Sequence, residues 1–405
     1  MEWIALILFI SIFVCILSGY PVAFVLGGLS YIFGVWILGN DFFQILPMRF
    51  MGIMSNQVLM AVPLFIFMGI TLQKSRIAAL MLENMAALFG KWRGGMALSV
   101  IAVGGMLAAS TGIVGATVVT MGLISMPSML KNGYSKSFSS GVIAASGTLG
   151  QIIPPSIVLI LLGSVMNISV GDLFYRAIVP GILLVIMYAV YVFMTGLWNP
   201  DVLGSGDQKG FSPAKELILS FLMPFLLIVL VLGSIYAGVA SPTEAAAVGS
   251  FGAILLTLFL GDLNLKKLSS ISVETMTLTS MVFFTLLGAT TFAVVFRGLG
   301  GDEIITGFIE NLELPAFYFV LVMMILVFFL GFIIDFIEII FILIPVVLPI
   351  LIDYDINLLW FGILLAINIQ TSFLTPPFGF SLFYLKGVVP ENVSINHIYT
   401  GSIPF

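Results

Sequence analysis

The chain has 405 residues, of which 60% are hydrophobic and 8% charged, with a net charge of −5 and a mean hydropathy of +1.22. A soluble domain is about a quarter charged, so this chain has too little polar surface to solvate a globule and belongs in a bilayer. Its charge is too diffuse for a nucleic-acid or acidic partner, and its single cysteine, Cys15, excludes an intramolecular disulfide.

The opening stretch, MEWIALILFISIFVCILSG, has no basic leader and no small-residue cleavage site before Tyr20-Pro21, so it reads as a retained first helix. Apolar runs then fall at 3–18, 21–38, 57–73, 138–164, 177–197, 216–236, 240–260, 274–296 and 358–385, with another starting near 398. Two further segments, 96–128 and 315–351, are apolar but broken in their middles by Gly or acidic residues. The first has about 33 residues, too few for two crossings of ~20 residues and a turn. Both are read as re-entrant helical hairpins, each beginning and ending on one side. The stretches 75–93 and 302–312 beside them are amphipathic and read as arms lying in the membrane interface.

The basic residues orient the chain. Lys74, Arg76, Lys91, Arg93, Lys131, Lys136, Lys209, Lys215, Lys266, Lys267 and Lys386 can all share one side, leaving only Arg49, Arg176 and Arg297 of the 14 Lys and Arg. The positive-inside rule makes that side cytoplasmic. The other face collects Asp41, Asp172, Asp302, Glu303, Glu310, Glu313, Asp353 and Asp355, and the N-terminus lies outside, in the periplasm.

The sequence contains itself twice. Gln73–Met85 resembles Gly300–Leu312, with Glu83-Asn84 falling on Glu310-Asn311. An offset of 222 carries Pro127 onto Pro349, Ser146 onto Asn368 and Pro154-Pro155 onto Pro376-Pro377. Asn167-Ile168-Ser169-Val170 matches Asn392-Val393-Ser394-Ile395 after a short insertion. Lys131 and Lys136 follow the first hairpin but Asp353 and Asp355 the second, so the copies are inverted, with a binding site expected near the midplane between them. The first copy continues past Ala177 into a full span while the second stops at Ile403-Pro404-Phe405, so most of a matching final helix is expected to be missing.

Three motifs carry chemistry. In SSGVIAASGTLGQIIPPSIVLILLG (Ser139–Gly163), paired prolines remove amide donors in mid-membrane and free nearby carbonyls. Such backbone is tolerated only inside protein or beside a polar cavity. Carbonyls next to Ser146 and Thr148 form an oxygen shell suited to a hard cation such as Na⁺, and AINIQTSFLTPPFGF repeats the design with Asn368, Thr371 and Thr375 before Pro376-Pro377. The hairpin centres place Ser110-Thr111-Gly112 at one turn and Asp335 and Glu338 beside Gly331 at the other. A carboxylate at that depth costs about 2.5–3.5 kcal/mol and calls for a cation, a proton or a polar cavity. In ASPTEAAAVG, Glu244 and Ser241 have capping-box spacing, and lone His397 sits as a bystander in a polar connection. There is no HExxH, no Cys/His cluster, no Walker loop and no G-x-S-x-G elbow, so neither a familiar membrane enzyme nor an ATP-driven pump is supported.

The ordered set IIPPSI, SPTEAAAVG and LTPPFG resembles the large membrane subunit of tripartite ATP-independent periplasmic (TRAP) transporters, within the ion transporter superfamily, along essentially the whole chain. The resemblance implies an all-α, inverted-repeat, elevator-type fold with two re-entrant hairpins and two interrupted helices. It divides the chain into scaffold with arm (1–95), transport domain (96–197), cytoplasmic linker (198–215), second scaffold part (216–314) and second transport part (315–405). It also implies the bacterial inner membrane, a small four-helix membrane subunit, a periplasmic substrate-binding protein, Na⁺ as coupling ion at two sites, and an organic acid as cargo. One ion site would use Ser110, Thr111 and Gly112 with Ser146, Thr148 and Gly150; the other Gly331 and Asp335 with Thr371 and Thr375. The cargo would meet Ser146, Pro154, Asn368 and Pro376, with helix N-termini at the breaks facing its carboxylate. This chain departs from the pattern in the acid-free tip ASTGIVGA and the extra acid Glu338, so the two ion sites are expected to be unequal. A self-sufficient Na⁺/organic anion symporter and an ion channel are the rival readings.

Overall fold

Helices in this chain start where a short polar side chain can take the first free amides. Ser135, Ser169, Asn264 and Asn357 each accept a backbone N–H from the helix they open. Ser241 and Glu244 form a complete capping box, as their spacing predicts, and so do Ser394 and His397. His397 thus caps its own helix, its Nδ1 accepting the Ser394 amide at 3.1 Å.

The computed structural model describes residues 2–89, 94–204, 221–311 and 314–405. Lys91, Arg93, Lys209, Lys215, Glu313 and most of the 198–215 segment lie outside the described residues, as do the side chains of Ser110, Glu310 and Asn311. Among the described residues the fold is all-helical, with one isolated bridge, Tyr134–Leu203, and no strand. The first copy holds α1 (Glu2–Leu17), α2 (Val22–Leu38), α3 (Leu46–Met54), α4 (Ala61–Lys74), α5 (Ile77–Phe89), α6 (Gly95–Thr111), α7 (Val114–Lys131), α8 (Lys136–Thr148), α9 (Ile157–Met166) and α10 (Val170–Trp198). The second holds α11 (Met223–Tyr236), α12 (Pro242–Phe259), α13 (Leu265–Gly298), α14 (Gly301–Asn311), α15 (Ala316–Leu330), α16 (Phe336–Asp353), α17 (Leu358–Leu374), α18 (Phe380–Lys386) and α19 (Ile395–Ser402).

Five of these helices are long and apolar enough to cross a bilayer, or six if α4 and α5, bent by 61° at their junction, count as one. That bend turns α5 away from the α4 axis, and its Ile77, Met81, Leu82 and Met85 are buried against the body. α10 and α13 run longer than the apolar runs at 177–197 and 274–296, because each begins with polar turns that hydropathy passes over. Along α10, Val179, Leu183, Ile186 and Val190 stay exposed, an apolar face for lipid.

Packing couples the two copies crosswise. α2 packs on α13, and its counterpart α12 packs on α4, the counterpart of α13. In the same way α7 lies against α18 and α16 against α9. α8 lies against α19 at a crossing where a Cβ on Gly141 would run into the Gly401 carbonyl and one on Gly401 into the Ser137 carbonyl. Two glycines let these backbones approach closely, as membrane helices do.

The hairpins are tied at their bases, α6–α7 through Asn132 and Met96, and α15–α16 through Tyr354 Oη donating to Leu314 O at 2.9 Å. Lys136, just past the first base, reaches Asn392 O, and Lys386, at the far end of the second interrupted helix, reaches Val393 O. The first base therefore shares an end with the exit of α17–α18, whereas the second base lies at the entrance to that helix. The copies run in opposite directions, as the charge pattern predicts.

Candidate functional site

Each hairpin tip is seated on the other broken element of its own copy, and glycine makes the seat possible. Gly112 ends α6 with φ +61, a left-handed conformation that a Cβ would strain, and its α-carbon faces the Ile157 amide at the start of α9. A Cβ on Gly104 would lie 2.6 Å from Ser146 Cβ, and one on Gly150 2.8 Å from Ala108 O. In the second copy a Cβ on Gly331 would meet the Ser372 hydroxyl. Ser372 is the residue 222 positions after Gly150, so the two contacts are equivalent.

The breaks fall where the prolines require. α8 ends at Thr148 and α9 starts at Ile157; α17 ends at Leu374 and α18 starts at Phe380. Pro154-Pro155 and Pro376-Pro377 are both joined by cis peptide bonds. Proline cannot donate to the carbonyl four residues back, and serine replaces it. Ser156 Oγ donates to Gln151 O at 2.7 Å, and Ser381 Oγ donates to Phe373 O at 2.6 Å, with Gln151 and Phe373 again 222 residues apart. Neither serine stands out in the sequence, where only a hydroxyl just beyond a proline pair would have marked it.

The sequence-derived site residues gather at these two junctions. At the first, Thr111, Gly112, Ser146, Thr148, Gly150 and Pro154 are all buried; the Ser110 side chain is outside the described residues. Ser146 Oγ donates to Val142 O, Thr148 Oγ1 to Ala145 O, and the Thr111 and Thr117 hydroxyls lie 2.7 Å apart. A hydroxyl that donates its proton to a carbonyl still offers oxygen lone pairs, which is what a hard cation takes. At the second, Gly331 is buried, Asp335, Thr375 and Pro376 are half-buried, and Thr371 is exposed. Thr371 Oγ1 donates to Ile367 O and Thr375 Oγ1 to Thr371 O. Asn368 is turned to the hairpin, where Nδ2 donates to Met324 O of α15 at 2.6 Å.

Asp335 is the N-cap of α16 and accepts the Phe336 amide at 2.7 Å. Glu338 stands in the first turn of the same helix, its Oε2 buried without a partner among the described residues. Tyr384 of α18 lies within electrostatic reach of both acids while its ring touches Gly115 at the first hairpin tip. Tyr384 thus links the first hairpin tip to the neighbourhood of the two acids.

A third polar group went unseen in the sequence. Tyr188 of α10 takes a hydrogen bond from Gln370 Nε2 at 3.3 Å and bonds to Thr148, joining the two copies beside the breaks. Among the described residues the fully buried Gln151 amide has no partner for either polar atom, nor has Gln370 Oε1. Buried polar atoms are rarely left so, and their clustering at both breaks marks a polar interior at the centre of the molecule.

An inverted-repeat membrane chain whose two hairpins close on two broken helices has the build of a substrate-translocating permease, with its binding region at the repeat interface. Residues 9–405 match the family described as tripartite ATP-independent periplasmic transporter, DctM component, and the chain belongs to that family. It is 30% identical over 364 residues to the C4-dicarboxylate TRAP transporter large permease protein DctM of Pseudomonas aeruginosa, covering 89% of this chain and 84% of that one. It is 29% identical to the isethionate TRAP transporter permease protein DctMQ of Oleidesulfovibrio alaskensis, covering 93% of this chain and 59% of that longer one. Among solved structures, the YdaH transporter of Alcanivorax borkumensis aligns with a TM-score of 0.62 and 14% identity, over 94% of this chain and 93% of that one. That likeness supports the fold. The chain is a multi-pass transporter subunit, and its relatives are named as permeases, not enzymes.

Proposed function

We propose that this permease takes up an organic acid, handed over by a soluble periplasmic protein, in symport with Na⁺ across the inner membrane. The observation that carries this reading is the pairing of two hairpin tips with two proline-broken helices, one junction lined by hydroxyls and the other by hydroxyls and Asp335. One Na⁺ would bind at Thr111, Gly112, Ser146, Thr148 and Gly150, with Ser110 completing the tip; the second would bind at Gly331, Asp335, Thr371 and Thr375. Cation binding would hold each tip on its break and close the cargo against Ser146, Pro154, Asn368 and Pro376. The hairpins and broken helices would then move as one body, elevator-fashion, against α1–α5 and α11–α14. A small four-helix membrane subunit would stand beside them; the name DctMQ carried by a longer relative fits such a partner. The dicarboxylate and isethionate in the relatives' names support a small organic acid as the cargo class.

The test is reconstitution. Proteoliposomes holding this chain with its small subunit, supplied with the soluble protein and radiolabelled succinate, should accumulate label only under an inward Na⁺ gradient. Accumulation without Na⁺ would overturn the coupling. Accumulation without the soluble protein would favour a self-sufficient symporter, and currents far above carrier turnover would favour a channel.

A further inference from the structure

Away from the breaks, α3 and α13 on one side and α9 and α16 on the other enclose an open cavity of about 740 Å³, within the range of small-ligand sites. Its charge is one-sided. Arg49 and Arg297 line it and, among the described residues, no Asp or Glu does, in a chain whose net charge is −5. Those arginines are two of only three basic residues on the face that the charge pattern assigns to the outside, so an otherwise acidic face concentrates its positive charge here.

The two arginines are differently engaged. Arg297 is already in use, its Nε 3.1 Å from Asp302 Oδ2 and its Nη2 donating to Pro345 O. This pair shows that a carboxylate fits against the cavity's edge; Arg297 is open to water, while Asp302 is partly buried with its Oδ1 enclosed. Arg49 makes no salt bridge among the described residues and is exposed to the cavity. A neutral donor stands across from it. Asn56 Oδ1 is taken by the amides of Val58 and Leu59, and its Nδ2 donates to Ser164 Oγ at 3.2 Å. Ser164 is thus an acceptor there, and its own proton has no acceptor among the described residues. The end of α9 would oppose an anion through bare carbonyls, but the amides of Asn167 and Ile168 both donate to Gly163 O and quench part of that field.

We propose that this cavity is a vestibule that receives the carboxylate or sulfonate of the cargo on its way to the breaks, with Arg49 as the charged contact and Ser164 as the neutral donor. The inference rests on the organic-acid reading and adds an entry site that the two-fold repeat does not supply, since Arg49 lies before the hairpins and has no counterpart at the other end of the molecule. Arg297 serves as a second contact once Asp302 releases it.

Thiol labelling tests the site without knowledge of the cargo. Gly52 is one helical turn from Arg49 on α3, lines the cavity, and has nothing within 4 Å of an added Cβ. Gly52→Cys in a Cys15→Ala background, in nanodiscs open on both faces, is reacted with 2-sulfonatoethyl methanethiosulfonate and with its trimethylammonium counterpart. A unit charge within several ångströms in water-filled space changes each rate about threefold, in opposite senses. The anion-to-cation rate ratio, normalised to a free thiol, should therefore fall about tenfold on Arg49→Gln and be kept by Arg49→Lys. A ratio indifferent to Arg49→Gln overturns the proposal. In the complete complex, Arg49→Gln should raise the KM for labelled succinate severalfold with little change in kcat, and an unmoved KM also overturns it. If wild-type protein moves no organic acid while the labelling ratio still depends on Arg49, the organic-acid reading fails and the anion-attracting cavity stands.

Discussion

At the first hairpin tip α7 starts from Ile113; at the second α16 starts from Asp335, 222 residues later. Both residues occupy the N-cap in extended conformation, and only the acid accepts a backbone amide through its side chain. The aliphatic residue shows that a hairpin of this build turns without a capping carboxylate. Glu338, three residues after Asp335, adds a second carboxyl at a depth where, among the described residues, the first hairpin places a Thr111–Thr117 hydroxyl pair. The pseudo-symmetry holds in the backbone and is broken in the charge. One junction resembles a neutral oxygen cage, the other a cage with its own counter-charge.

The seats of the tips give the largest expected effect. Gly150 faces a backbone carbonyl, which cannot yield, whereas Gly331 faces the Ser372 side chain, which can be removed. Gly150→Ala and Gly331→Ala should each destabilise by roughly 1–3 kcal/mol and abolish most uptake. Only the second should be recovered, by Ser372→Gly; thermal melting and uptake of the double variant measure it. The charge asymmetry comes next. Asp335→Asn should raise the half-saturating Na⁺ concentration about tenfold, equivalent to ~1.4 kcal/mol, while Glu338→Gln shifts it less. Equal shifts for the two, or none for Asp335→Asn, would remove the acid from the ion site.

Gln151 sharpens the comparison in the other direction, because its counterpart is Phe373. Gln151→Met removes an orphaned buried amide, whose desolvation costs about 1–3 kcal/mol, so melting temperature should rise as uptake falls. A variant that loses stability would show the amide to be structurally satisfied. The smallest effect is expected at the surface. Burial pushes the Asp262 carboxyl up, but Lys267 at 2.6 Å and the Arg76 amide outweigh it and hold it below the usual carboxylate range. A depressed folded-state value stabilises above the unfolded value of about 3.9 and is lost as pH falls below it. A melting-temperature drop of a degree or two between about pH 5 and 3 should be present in the wild type and reduced in Asp262→Asn.

The parts of this molecule written in backbone chemistry were legible in the sequence. Paired prolines located both breaks, Gly112 located a turn, Ser241 and Glu244 announced their box, and the collinear matches exposed the repeat. What escaped was chemistry made by distant residues meeting. Ser156 and Ser381 matter only because a proline pair leaves a carbonyl within their reach. Tyr188 joins Thr148 and Gln370 across 182 residues of chain to Gln370, a contact no local pattern encodes. The starts of α10 and α13 escaped for another reason: their first turns are polar, and hydropathy registers only the part of a helix that lies in hydrocarbon. Arg49 and Arg297 were visible as exceptions to the charge pattern, but their convergence on one cavity required the fold.

The crosswise packing of the copies has a consequence for how the protein is made. A ribosome delivers α1–α10 to the membrane before α11 exists, at a point when α2 and α4 still lack α13 and α12. During that interval the newly inserted half holds glycine-lined grooves and buried hydroxyls facing lipid with nothing to fill them. Its survival then depends on how fast translation supplies the other half, since domains left incomplete expose the surfaces on which misassembly starts. Slowing elongation between the copies should increase degradation of the nascent chain, and co-expressing the halves as separate polypeptides should restore part of it.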